Sequence, residues 1–487
     1  MIRRKSALSV QSLVALGPER LAQLVLDEAG RNAPFRKLVN AALAASKGPE
    51  AVAKLIDRRL AALEKARSFI DWDKARAFRD DLRATVETIT GELASASAAL
   101  AVERLLRFIT THEIVFERID DSSGHVQGVY YDAIEALGTI VEKLASDEAD
   151  LLPERIMAAL GQSSHGYLVD VAEAVASHLP EPSLRRWDRF LLQRETEERK
   201  TQKDNAVRAY EFNASQLRAV RQAIAVARND LDGLIALEKK KPANSRDTIG
   251  IAERLLDAGR AKEALVWARK KPATSLRYMS EADLADGVAP HDPTVPRRIS
   301  VEAAILTALE DIPAAQALRW SAFEESLNAD ILRDYIAALP DFEEFEVLDR
   351  AFAHALSSSR RYQALAFLME WPRLDLAAHL VIRDQGNWDG GRYCMLPPIA
   401  QALEYEYPLA ATVIYRALID NILARARSKA YGHAARYLTR LVALAKDAGS
   451  CAAAAKEAGI SDHAAYVLSL KAAHGRKSGF WSLVKSV

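Results

Sequence analysis

The sequence predicts an all-α protein built of antiparallel helical hairpins, stacked as a degenerate tetratricopeptide-like (TPR-like) α-solenoid. Three observations predict it. Alanine, which loses no side-chain entropy in a helix, fills 88 of 487 positions. Apolar residues recur at spacings of three and four along much of the chain. Turn signals arrive every 12 to 20 residues, the spacing of short helices joined as antiparallel neighbours.

Bulk composition agrees. Glycine (21) and proline (17) are sparse, and 49% apolar with 27% charged residues supports a packed core. Charge balances at 66 basic against 66 acidic residues, so the whole chain is not a polyelectrolyte binder. Its two cysteines, Cys394 and Cys451, are too few for a structural zinc site and fit a reducing interior. The basic Met1-Ile2-Arg3-Arg4-Lys5 start is not followed by an apolar run, and no 18-residue apolar stretch occurs. A cytoplasmic protein with no cofactor and no membrane contact is expected.

In chain order, Val52, Leu55, Ile56, Leu60 and Leu63 make one helical face, and Val102, Leu105, Leu106 and Ile109 another. Residues 126–131 are the best strand candidate, but their neighbours argue for a helix start. The charge run 194–204 predicts a solvated helix face or connector, in preference to a binding surface, between an N-terminal helical domain, 1–193, and a C-terminal helical-repeat domain, 205–487. Within the second domain Lys240-Lys241-Pro242-Ala243 returns as Lys270-Lys271-Pro272-Ala273, which sets Leu237 over Trp267. An Ala-x-x-aromatic pattern recurs at Ala264/Trp267, Ala317/Trp320, Ala364/Phe367 and Ala434/Tyr437, where a small residue permits close helix approach and the aromatic fills the groove. Its irregular spacing marks the repeat as degenerate. Two longer irregular stretches, 272–298 and 384–398, are either disordered or functional.

No catalytic signature is present. Phosphate loop, paired metal-binding histidines and nucleophile elbow are all missing. The loop Asp120, Asp121, Ser122, Ser123, Gly124 lacks the alternating carboxylates of a calcium loop and reads as a helix cap with a positive-φ glycine. Asp71 is expected to cap the helix after it, and residues 161–166 place Ser164 beside His165 without implying catalytic geometry.

Charge layout is uneven. Residues 300–350 hold twelve acids against three bases, and residues 420–487 hold eleven bases against four acids. Arg425, Lys429, His433, Arg436 and Arg440 form one basic stripe if a single helix runs through them, unless Gly432 marks a turn. That stripe is a solvated face, a site for an acidic partner such as the 300–350 block of another copy, or a phosphate contact. Tyr431, Tyr437, Phe480 and Trp481 interleave aromatics with it.

Several stretches together resemble a bacterial family catalogued as a domain of unknown function. They are residues 117–124, 252–260, 332–342, 426–438 and 474–481. Residues 426–438 and 474–481 are also similar to the helical region of bacterial SWIM zinc-finger proteins, without that finger's Cys-x-Cys and Cys-x-His. The resemblance implies a helical fold and leaves the function open. The expected function is a non-enzymatic scaffold that binds a protein or peptide partner, with self-association possible. Candidate contacts are Trp388, Tyr393, Arg425, Lys429, Tyr431, His433 and Arg436. A nucleic-acid accessory role through the basic C-terminal stretch is the alternative.

Overall fold

A computed structural model of the chain describes residues 9–161, 163, 166–201, 207–270, 277–447 and 452–484. The described residues are helical apart from turns and two isolated bridges, Ile70 with Ile119 and Tyr278 with His291. None of the described helices is long and apolar enough to cross a membrane. Cys451, His165 and Lys271-Pro272-Ala273 fall outside the described residues.

Two compact units make up the chain, Met1–Lys240 and Lys241–Val487. The sequence sets the boundary at 194–204; the structure sets it after that run. Helix Glu181–Thr201 passes through the described part of the charge run, and helix Val207–Ala227 packs on it and on Tyr167–Ala176. Leu217, Val220 and Ile224 thereby join the N-terminal core. Arg221 pins the two helices, reaching Asp188 at 2.7 Å and Glu195 at 3.2 Å.

The N-terminal unit is organised around one helix, His125–Val141, against which Trp72–Thr88, Ala98–Thr110 and Tyr167–Ala176 all pack. It buries Val126, Val129, Tyr130, Ala133, Ile134 and Leu137. The 126–131 segment is helical, as its neighbours require. Asp121 starts it by accepting the backbone N–H of Val126 at 3.0 Å and of Gln127 at 2.8 Å. Gly124 turns the chain into the helix at φ 67°, where a side chain would be strained. Asp120 accepts the N–H of Ser122 at 3.3 Å, closing the turn. Asp71 occupies the cap position of its helix but makes no side-chain cap bond.

A polar knot sits inside this apolar core. His112 is 1% exposed, with Nδ1 2.6 Å from the Ile109 carbonyl and Nε2 3.1 Å from the Ser163 hydroxyl. Tyr167 meets its ring edge-on at 4.6 Å. Pairing on both ring nitrogens removes the cost of burying them.

In the C-terminal unit most helices pack chiefly on near neighbours in the chain, whereas Glu281–Asp286 packs on Arg361–Glu370. Thr248–Asp257 meets Ala261–Ala268, followed by Val295–Ala308, Ile312–Ser326 and Ala329–Ile336. Glu344–Ser357, Arg361–Glu370, Leu374–Arg383 and Pro408–Ala424 continue the order, and Leu396–Leu403 and Tyr431–Asp447 flank Pro408–Ala424. Asp247, Asp311 and Asp462 each cap a helix by accepting the N–H of the residue three further on.

Three of the four Ala-x-x-aromatic pairs put the alanine in the core: Ala264 with Trp267, Ala364 with Phe367, and Ala434 with the half-buried Tyr437. Ala317 with Trp320 does not. In that helix the buried face runs through Ala315 and Phe323, which leaves Ala317 exposed and Trp320 half-buried under the Arg350 guanidinium.

Both irregular stretches are tied to a single helix. Asp286 accepts the N–H groups of Tyr362 and Gln363 at the start of Arg361–Glu370. From the other stretch, the Asp389 N–H donates to the Tyr362 hydroxyl at 2.6 Å, and Trp388 meets the Tyr362 ring edge-on at 5.1 Å.

Candidate partner-binding face

The basic stripe is not one helix. Helix Pro408–Ala424 ends at Arg425, and Ala426 turns the chain at φ 50°. A short 3-10 turn, Ser428–Ala430, then leads into helix Tyr431–Asp447. Gly432 lies inside that helix, so the break falls between Ala424 and Tyr431. Arg425 and Lys429 are exposed on the turn, and His433 and Arg436 are exposed on the first turns of the helix. Among the described residues no carboxylate lies within 4 Å of Arg425, Lys429 or Arg436; the nearest group to Arg436 is the His433 ring, at 2.9 Å. Arg440 differs, since Glu404 neutralises it at 2.5 Å and also accepts the Tyr415 hydroxyl.

Local sequence explains this placement. The first turn of Tyr431–Asp447 holds no acid, although the positive end of a helix dipole favours one. Arg425 sits at the C-terminal end of Pro408–Ala424, where a cation is favoured, and Arg436 lies beyond the first turn of Tyr431–Asp447.

Tyr393 borders the face and is 37% exposed. Its hydroxyl donates to Asn421 Oδ1 at 3.0 Å and accepts from Arg427 Nη1 at 2.9 Å. Asn421 in turn donates to Asp389 at 3.1 Å, which anchors the 388–393 loop. Gly390 presses against the helix so closely that a Cβ there would stand 1.8 Å from the Ala417 carbonyl oxygen. Only glycine fits.

Two of the sequence candidates are interior. Trp388 is 6% exposed, and its indole N–H donates to the Val381 carbonyl at 3.0 Å. Tyr431 is 9% exposed and packs edge-on against Phe480 at 6.1 Å. Other aromatics interleaved with the basic residues are likewise committed. Phe480 is wholly buried, Trp481 donates its N–H to the His474 carbonyl, and Tyr437 stacks on Tyr415 at 5.3 Å. None is splayed out to stack on a base. Asp120, Asp121, Ser122 and Gly124 belong to the N-terminal unit, where they shape a helix start.

The structure adds groups that no motif marks. Beside the 388–393 loop opens a cavity of about 500 Å³ lined by Asp389, Arg416, Asp420, Asn421 and Ser461. The Arg416 guanidinium lies 4.5 Å over the Tyr466 ring, whose hydroxyl donates to Asp420 at 2.8 Å. Burial, reinforced by the Asp420 charge, pushes the Tyr466 hydroxyl far above its ordinary pKa and keeps it protonated. Burial and the Arg416 charge lower His463. Among the described residues no cluster of three or more His, Cys, Asp or Glu could hold a metal ion.

No curated protein matches this chain, and no solved structure does. A family model matches residues 3–483, nearly the whole length. The chain belongs to that family, a family of unknown function designated DUF6880.

Proposed function

We propose that this protein is a non-enzymatic, cytoplasmic bacterial scaffold whose C-terminal unit, a degenerate TPR-like stack, binds an anionic segment of a protein partner. One observation carries the reading: Arg425, Lys429 and Arg436 are exposed around the start of helix Tyr431–Asp447, and among the described residues none has a carboxylate within 4 Å. An anionic ligand supplies the partner charge that these cations lack within the chain. The acidic 300–350 block of a second copy has suitable charge, and self-association through it would appear as a salt-sensitive dimer.

Tagged full-length chain, wild type and Arg425→Glu/Lys429→Glu/Arg436→Glu, is used for capture from native cells with and without nuclease. A discrete protein held by the wild type, resistant to nuclease and lost with the triple variant, supports the reading. Equal recovery by both chains sinks it. Recovery abolished by nuclease transfers the assignment to nucleic-acid binding, with its steep salt dependence.

A further inference from the structure

We propose that the cavity beneath residues 278–296 is a binding site for an aliphatic amine, an alkyl chain ending in a primary ammonium. The cavity measures about 630 Å³ and lies within the C-terminal unit. Small-molecule sites of this size are mostly apolar with a few convergent polar groups. Here Val288, Ile331, Ala366 and Phe367 supply apolar wall, and the polar groups converge on Asp283.

Asp283 is 1% exposed. One carboxylate oxygen accepts the Ser280 N–H at 2.9 Å and the Ser280 hydroxyl at 2.8 Å; the other accepts the Gln363 side-chain N–H. A carboxylate offers about four acceptor positions, so one is unfilled. His291 does not fill it, since its Nδ1 stands 3.7 Å away, beyond hydrogen-bond reach. Gln363 Oε1 is a second unfilled acceptor, buried and without a partner. The Gln363 side-chain N–H joins the two groups that carry these acceptors.

An ammonium carries three donors and no acceptor, so one group satisfies both positions and pairs with the carboxylate. A hydroxyl brings a single donor, and an anion meets repulsion. The lining also carries Glu325 and Glu370, the latter paired with Arg333 at 3.1 Å, together with His291 and the Arg360 guanidinium. The cover is held in place by the Tyr278–His291 bridge and by Asp286 on the Arg361–Glu370 helix.

Titration calorimetry of the full chain with hexylammonium, 1-hexanol and hexanoate tests the assignment. Saturable hexylammonium binding at least about tenfold tighter than hexanol, with none for hexanoate, is expected. Ala366→Leu fills the cavity without touching a polar group and should abolish the binding. Glu325→Lys adds a cation at an exposed position on the lining and should weaken it several-fold while the melting temperature holds. Hexanol binding as well as hexylammonium overturns the proposal, and so does hexylammonium binding unchanged in both variants.

Discussion

Asp286 caps helix Arg361–Glu370 from far back in the chain, accepting the backbone N–H of Tyr362, 76 residues on, at 3.1 Å and of Gln363 at 2.9 Å. That helix has no side-chain cap of its own, since Arg360 at the cap position makes none. Asp286→Ala should cost about 1–2 kcal/mol, the loss of an N-cap acceptor, measured as a lower urea midpoint. Asp286→Asn, which keeps an acceptor oxygen, should recover much of it. Equal stability for wild type and Asp286→Ala would remove the cap from the account.

Gly390→Ala tests the close approach of the 388–393 loop to helix Pro408–Ala424. The new Cβ would collide with the Ala417 carbonyl, and overpacking of this kind costs about 1–3 kcal/mol. Gly386→Ala meets nothing within 4 Å and is the control. Thermal denaturation should separate the two variants clearly.

Phe323→Ala and Trp320→Ala, three residues apart on one helix, should differ in the order opposite to ring size. Phe323 is wholly buried, so its truncation should cost about 3–5 kcal/mol. Trp320 is half-buried and rests partly on the Arg350 guanidinium, 3.5 Å from its centroid, so it should cost less. A larger loss at Trp320 would mean that the helix buries the alanine-aromatic face after all.

His463 should make stability fall in mild acid. Its folded-state pKa is lowered from 6.5 by burial first and the Arg416 charge second. The unfolded chain therefore binds the proton at a pH where the folded chain does not. The contribution is present above pH 6.5 and is lost as pH falls through the lowered folded value. His463→Gln should lose less stability between pH 7.5 and pH 5.5 than the wild type, read as the change in urea midpoint. Parallel losses would sink the assignment.

The fold class was legible because alanine content and apolar spacing are local properties, and so are helix caps. Asp121 with Gly124 is a cap in sequence and a cap in the structure. What was not legible depends on partners far along the chain. Trp388 stands among glycines and reads as exposed, yet Tyr362 and the Val381 carbonyl draw it inside. The phase of a short helix is equally hidden: Ala317 fits the repeat, but the neighbouring helices select Ala315 and Phe323. Charge on Arg425, Lys429 and Arg436 was visible, whereas their lack of acidic partners, which separates them from Arg440, needed coordinates.

The distance in sequence between Asp286 and Tyr362 also bears on the order of folding. Neighbouring helices of the C-terminal unit can dock through local contacts soon after they form, but this cap closes a loop of 76 residues. A bond that closes so long a loop is expected to form after the rate-limiting barrier. Loss of the Asp286 carboxylate should then accelerate unfolding and leave the refolding rate unchanged, so that the 278–296 cover governs how long the native unit persists more than how fast it is reached.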